Sequence, residues 1–170
     1  MNKIENRKTK NVITKIVKVF GVSYNLDITY KYVKVPNLKI ENKTIKITLP
    51  NKYKKVNNNI ILEMLVEKMY DAIAEKELET IMEKVRVTLK FAPEDYEIAR
   101  IDKILGKCLE DKIIINPDIV MYKKETIEYI IFHEFCHLKF KKHSKKFYEM
   151  LKTYIPNYEH YAYEIAGMQY

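Results

Sequence analysis

Three of the four histidines in this 170-residue chain fall between positions 133 and 143, in the stretch IFHEFCHLKFKKHSKKFY (131–148). His133 and His137 are four apart, so on a helix they stand one turn apart on one face. With His133 at zero, His137 lies at about 40° around the axis and Glu134 at about 100°. One arc of helix then offers two imidazoles and, beside them, a carboxylate. Two neutral imidazoles can hold Zn²⁺, and a neighbouring carboxylate that is not a ligand can take a proton from metal-bound water. That is the mechanical content of the spacing H-E-x-x-H. The plain alternative is a buried helix whose histidines bond to their neighbours. A chain with so few histidines, grouped this closely, weighs against it.

His143 depends on where that helix ends. On an unbroken helix it would point about 80° away from His133 and lie roughly 9 Å beyond His137. If the helix stops within 139–142, His143 can swing back and supply a third nitrogen. Ser144 makes the stop plausible, as a good N-cap for the KKFYEML that follows. Three protein ligands and a water are the pattern of a catalytic zinc rather than a closed structural one. Cys136 sits three helical positions from His133 and points off the histidine face. Tyr158, His160, Tyr161 and Tyr163 read as packing or surface residues, as do Glu159 and Glu164, the replacement ligands if His143 were to fail.

Residues 23–49 alternate apolar and polar, punctuated by Pro36 and a turn at Glu41-Asn42-Lys43. In TIKITL, Ile45, Ile47 and Leu49 face one way and Thr44, Lys46 and Thr48 the other. From about Asn58 to Glu83 the period becomes helical, with Leu62, Leu65, Val66, Met69, Ile73 and Ala74 on one stripe. VRVTLKF (85–91) returns to alternation and reads as a strand. No element is assigned from Pro93 to about Ile101. KILGKC and KIIIN, around Leu109-Glu110-Asp111, read as a hairpin ending at Pro117. A helix is expected from about Lys124 through the histidine pair, a second from about Ser144 to Tyr154, and a last one opened by Pro156 and ended by Gly167. At the start, Val12, Ile13, Ile16, Val17 and Phe20 fit a basic amphipathic helix packed on the body of the protein. Met64, Met69, Phe135 and Leu138 read as core, and Cys108 as an ordinary buried thiol. Strands, a long helix, more strands and then helices make an α+β pattern.

The apolar share of 47% with 12% aromatic fits a folded chain, and the length suits one domain, residues 1–170. Within it we distinguish a basic segment 1–23, a strand-rich basic part 24–56, and a helical part 57–170 that carries the histidines. Two cysteines cannot make a disulfide framework. No apolar run approaches the roughly 20 residues a membrane span needs. Lys15 and Lys18 interrupt the one apolar stretch near the N-terminus, which is a poor leader core. The expectation is a soluble cytoplasmic protein. Residues 1–60 hold 14 Lys/Arg against 3 Asp/Glu, and the remainder 17 against 20. A basic first third could touch nucleic acid or an anionic membrane surface through phosphates, whereas a well-solvated lysine-rich exterior is the plainer reading, since no arginine cluster or basic–aromatic ladder accompanies it.

HEFCHLKFKKHSKKFY, written H-E-x-x-H-L-x-x-x-x-H-S-x-x-F-[WY], resembles the zinc-binding signature of the YgjP-like metallopeptidases. These are small zincin-fold proteins, related more distantly to SprT-like proteases that act on protein–DNA crosslinks. The resemblance extends over residues 24–165, with Tyr129 as the aromatic that precedes the motif. It implies a zincin-like fold: a small mixed or antiparallel sheet, a long helix, and an active-site helix bearing the motif. It also implies one Zn²⁺ per chain on His133, His137 and His143, with Glu134 as catalytic acid and base. Where such proteins typically carry Trp-Gly-Ser-Cys, this chain has Leu105-Gly106-Lys107-Cys108, a departure that bears on the substrate groove.

The expected activity is therefore zinc-dependent hydrolysis of a polypeptide, laid as an added strand along the 104–116 hairpin. A metal-binding protein of the same fold without general proteolysis, and a nucleic-acid-associated protein using residues 1–60, are the alternatives.

Overall fold

The computed structural model describes residues 16–55, 57 and 59–168. The chain opens with a hairpin of β1 (Ile16–Val19) and β2 (Val22–Lys31). Phe20 and Gly21, at φ +49° and +76°, make its two-residue turn. Glycine is required at 21, because a Cβ there would lie 2.5 Å from Lys123 Cγ. The amphipathic helix expected here is not formed by its described part. Val17 and Val19 are buried while Ile16 is exposed, a period of two that suits a strand. Val12 and Ile13 lie outside the described residues.

β3 (Asn37–Glu41) and β4 (Thr44–Pro50) form the second hairpin, through Asn42 and Lys43 at positive φ. The sheet order is β1-β2-β4-β3, with β2 and β4 parallel and the other pairs antiparallel. Ile45, Ile47 and Leu49 are fully buried and Lys46 is exposed, as the alternation predicts.

A 3₁₀ turn (Asn51–Lys55) leads to α1 (Asn59–Leu89), which is longer than expected. Residues 85–89 are not a strand. Leu78, Met82, Val85 and Leu89 continue the buried stripe at helical spacing, while Val87 is left 60% exposed. Arg86 pairs with Glu83 one turn back, and Lys90, at φ +59°, caps the end. Met69 is core as expected, but Met64 lies on the exposed face of α1.

β5 (Asp95–Ile98), in the stretch left unassigned from sequence, runs parallel to β7 (Lys112–Ile115), which pairs antiparallel with β6 (Gly106–Leu109). The order β5-β7-β6 places β6 at one end of this second sheet. Asn116 then accepts from Asp118 N and donates to the carbonyls of Ile101 and Ile104, pinning the loop that enters β6. A 3₁₀ turn (Pro117–Met121) receives Phe20 N and Gly21 N on the carbonyls of Val120 and Met121, which joins the two sheet regions.

Three helices finish the chain: α2 (Lys124–Lys139), α3 (Lys145–Tyr154) and α4 (Tyr158–Met168). Gly167 does not end α4, which continues past it to Met168. Buried side chains from Val17 to Leu151 belong to one core, to which α2 contributes Ile127, Ile131, Phe132 and Phe135. No helix among the described residues is long and apolar enough to cross a membrane.

Candidate metal centre

The core-facing stripe of α2 holds the helix in place, and its other face carries His133 and His137. α2 stops at Lys139, where the N–H of Phe140 closes on the carbonyl of Cys136. Ser144 then caps α3, accepting from Phe147 N at 3.4 Å. The reversal between the two helices returns His143 to the histidine pair. His133 Nε2 lies 3.3 Å from His137 Nε2 and 2.9 Å from His143 Nε2. His133, His137 and His143 form a group able to hold a metal ion, with their nearest ligand atoms all within 4.8 Å.

The donor set and spacing fit such an ion. Nitrogens at about 2.0–2.1 Å around a tetrahedral zinc stand roughly 3.3 Å apart. Neutral imidazoles are needed, and burial first, then the neighbouring His137 and His143, holds His133 down to about 3. Burial lowers His137 as well. His137 Nδ1 is 3.0 Å from the Phe140 carbonyl, so that nitrogen donates and leaves Nε2 with its lone pair toward the cluster. His133 Nδ1 is buried without a hydrogen-bond partner among the described residues. Packing orients that ring instead, between the edge of Tyr129 and Phe147. Phe147 is fully buried and lies beneath all three imidazoles, with ring centroids 4.7–4.9 Å away.

Glu134 is 7% exposed. Burial pushes its carboxyl up to about 7, with the backbone N–H of Cys108 pulling the other way. Its side chain lies against β6 at Gly106, where a Cβ would come 2.8 Å from Glu134 Cγ. Aromatic rings complete the surroundings. Tyr148 packs near His143 and stacks on Tyr158, while Tyr161 stacks on Tyr129. Burial, with Tyr148, Tyr158 and Glu134 nearby, pushes the Tyr129 hydroxyl up to about 12 and keeps it a donor.

A sequence model of the YgjP-like metallopeptidase domain matches residues 1–166. The chain belongs to the YgjP-like metallopeptidase family. Membership implies a metal ion and a polypeptide substrate. No curated protein matches the sequence. A crystal structure of the metallopeptidase zymogen abylysin of Pyrococcus abyssi aligns with 44% of this chain and 75% of its own, at 21% identity and a TM-score of 0.39.

In this YgjP-like chain the residues singled out from sequence gather as three histidines and one glutamate. Glu164 accepts from Thr126 at 2.6 Å, and Glu159 is exposed beside Tyr158, so neither joins the cluster. His160 and Tyr163 are exposed, the latter at 81%. Cys136 is fully buried in the core. Cys108 is not a buried thiol but half-buried at the rim, facing the carbonyl of Glu110.

Sequence reasoning gave no role to Phe147, Gly106 or Tyr148, which stand in the family pattern but gain their contacts only from packing, whereas Tyr158 and Tyr161 pack as expected. The basic first third gains no support as a nucleic-acid surface. Lys31, Lys39 and Lys46 line one open groove, and Lys46 is paired with Glu41 at 2.7 Å.

Proposed function

We propose that this chain is a zinc-dependent endopeptidase in which His133, His137 and His143 hold one Zn²⁺ and Glu134 moves the proton. The observation that carries the reading is the convergence of three imidazole nitrogens next to a buried carboxylate, Glu134. Nitrogen donors of this kind suit zinc, and three of them leave a position open for chemistry. Zinc, when bound, would lower the pKa of a water toward neutrality and polarise a peptide carbonyl.

The chain's own residues do the rest. His137 is held in one tautomer by Phe140, so its metal-facing nitrogen is always an acceptor. Glu134, kept dry against β6, accepts a proton from the attacking water and passes it to the departing amine. An extended substrate lies along β6, the end strand of its sheet, and borrows its backbone hydrogen bonds. Two free cysteines suit a reducing compartment such as the cytoplasm.

The test is elemental analysis of untagged protein together with Glu134→Gln. We expect about one zinc per chain in both proteins and a loss of turnover of about 10²–10⁴-fold in the variant. Protein that stays empty after incubation with zinc would falsify the metal site. Equal zinc with no cleavage by either protein would instead indicate a metal-binding zincin-like protein without proteolysis.

A further inference from the structure

Beside His133 and Glu134 opens a cavity of about 200 Å³. Its walls come from three places: Ile104, Leu105 and Gly106 at the entry to β6, Tyr129 and Ile130 on α2, and Ile165 on α4. It is smaller than the roughly 300–1,000 Å³ of pockets that enclose whole ligands, and much larger than the space for one water. One amino-acid side chain is the natural fit. Of its three titratable groups, His133 and Glu134 are those that the proposed function assigns to metal binding and proton transfer, and the third is the Tyr129 hydroxyl. A group seated there therefore lies against the bond being cut.

We infer that this cavity is the specificity pocket of the peptidase and takes an uncharged aliphatic side chain from the residue flanking the scissile bond. The inference rests on the peptidase reading above and adds to it a class of cleavage site. An acidic side chain would lie against the apolar surface of Leu105, Ile130 and Ile165 while facing Glu134, so partial loss of solvent and like charge both oppose it. A lysine or arginine would pair with Glu134 and occupy the carboxylate the reaction uses. Glycine or alanine would leave the cavity part-empty and forgo its contacts. Gly106 belongs to this design, since a side chain there would push Glu134 out of its place at the pocket wall.

The test reads binding rather than turnover. Zinc-loaded full-length protein is titrated calorimetrically with peptide-like hydroxamates that differ only in one side chain: methyl, isobutyl, benzyl or carboxymethyl. We expect isobutyl to bind at least about tenfold tighter than methyl, the scale set by methylenes in an apolar pocket, and carboxymethyl to bind worst. Leu105→Trp and Ile165→Phe, which fill the cavity from two of its walls, should cut the isobutyl advantage over methyl to under about threefold with zinc content unchanged. Ile165→Ala removes bulk instead, and should move the preference from isobutyl to benzyl.

Equal affinity across the series, or a preference that none of the three variants alters, overturns the pocket while leaving the peptidase reading intact. Failure of every hydroxamate, methyl included, to bind zinc-loaded protein overturns the peptidase reading, and the pocket with it.

Discussion

Phe147 meets all three imidazoles with one ring, and among the described residues no other aromatic side chain outside the cluster does so. Replacing it by alanine removes that floor and opens a cavity, at about 3–5 kcal/mol of stability. Phe147→Ala should therefore lower the melting temperature and weaken zinc binding, read by competition against a chromophoric chelator. A variant that melts lower but holds zinc as tightly would show that Phe147 is core alone. Gly106 makes a different prediction. An added methyl would come 2.8–3.0 Å from Glu134 Cγ, Cδ and Oε1, so Gly106→Ala should act first on Glu134, with zinc content nearly unchanged. Displacement of the proposed base by about 1 Å should cost on the order of 10²-fold in kcat, and a kinetic assay beside a melting curve separates the two effects. At this scale the histidines and Glu134 were readable because their chemistry is written in residue type and spacing. Phe147 and Gly106 were not, because a phenylalanine reads as core and a glycine as a turn until the neighbours are known.

Among the elements, the short break between α2 and α3 decides whether there are two converging imidazoles or three. Sequence placed the break correctly within 139–142 because Ser144 is a strong N-cap, and the structure shows Ser144 accepting from Phe147 N. Ser144→Ala should cost about 1 kcal/mol of stability and loosen His143, whose position depends on the start of α3. Zinc affinity should fall by less than in His143→Ala, and an affinity equal to wild type would uncouple the cap from the site. Elsewhere the same reasoning failed where two periods were both present. Val85, Val87 and Leu89 alternate, yet Val85 and Leu89 also continue the stripe of Leu78 and Met82, and packing against the core chose the helix. Ile16 to Val19 failed in the opposite direction, since the turn at Phe20-Gly21 folds that segment back on β2. β5 was missed because Asp95–Ile98 has too little apolar character to announce itself, and it becomes a strand only through β7.

For the molecule as a whole, the proposed metal site predicts a coupling between metal binding and folding. An unfolded histidine takes up protons below about 6.5, while burial holds His133 down to about 3. Between those values the unfolded chain binds more protons than the folded one, so metal-free protein loses stability as pH falls through that window. Chelator-treated protein should melt progressively lower from pH 6.5 downward, more steeply than His133→Leu. A parallel decline in the two would place the acid sensitivity elsewhere. Added zinc should raise the melting temperature at neutral pH by binding the folded state alone. What the sequence by itself determined is local: the motif spacing, the helix that presents it, the cap that starts the next helix, and the alternation of β4. Each depends on contacts within a few turns of chain, which periodicity and capping chemistry report directly. The tertiary structure alone decided how far α1 runs, that β6 lies against Glu134, that Phe147 floors the cluster, and that Ile165 walls the pocket. Those outcomes compare burial between segments distant in sequence, a competition that no local pattern records.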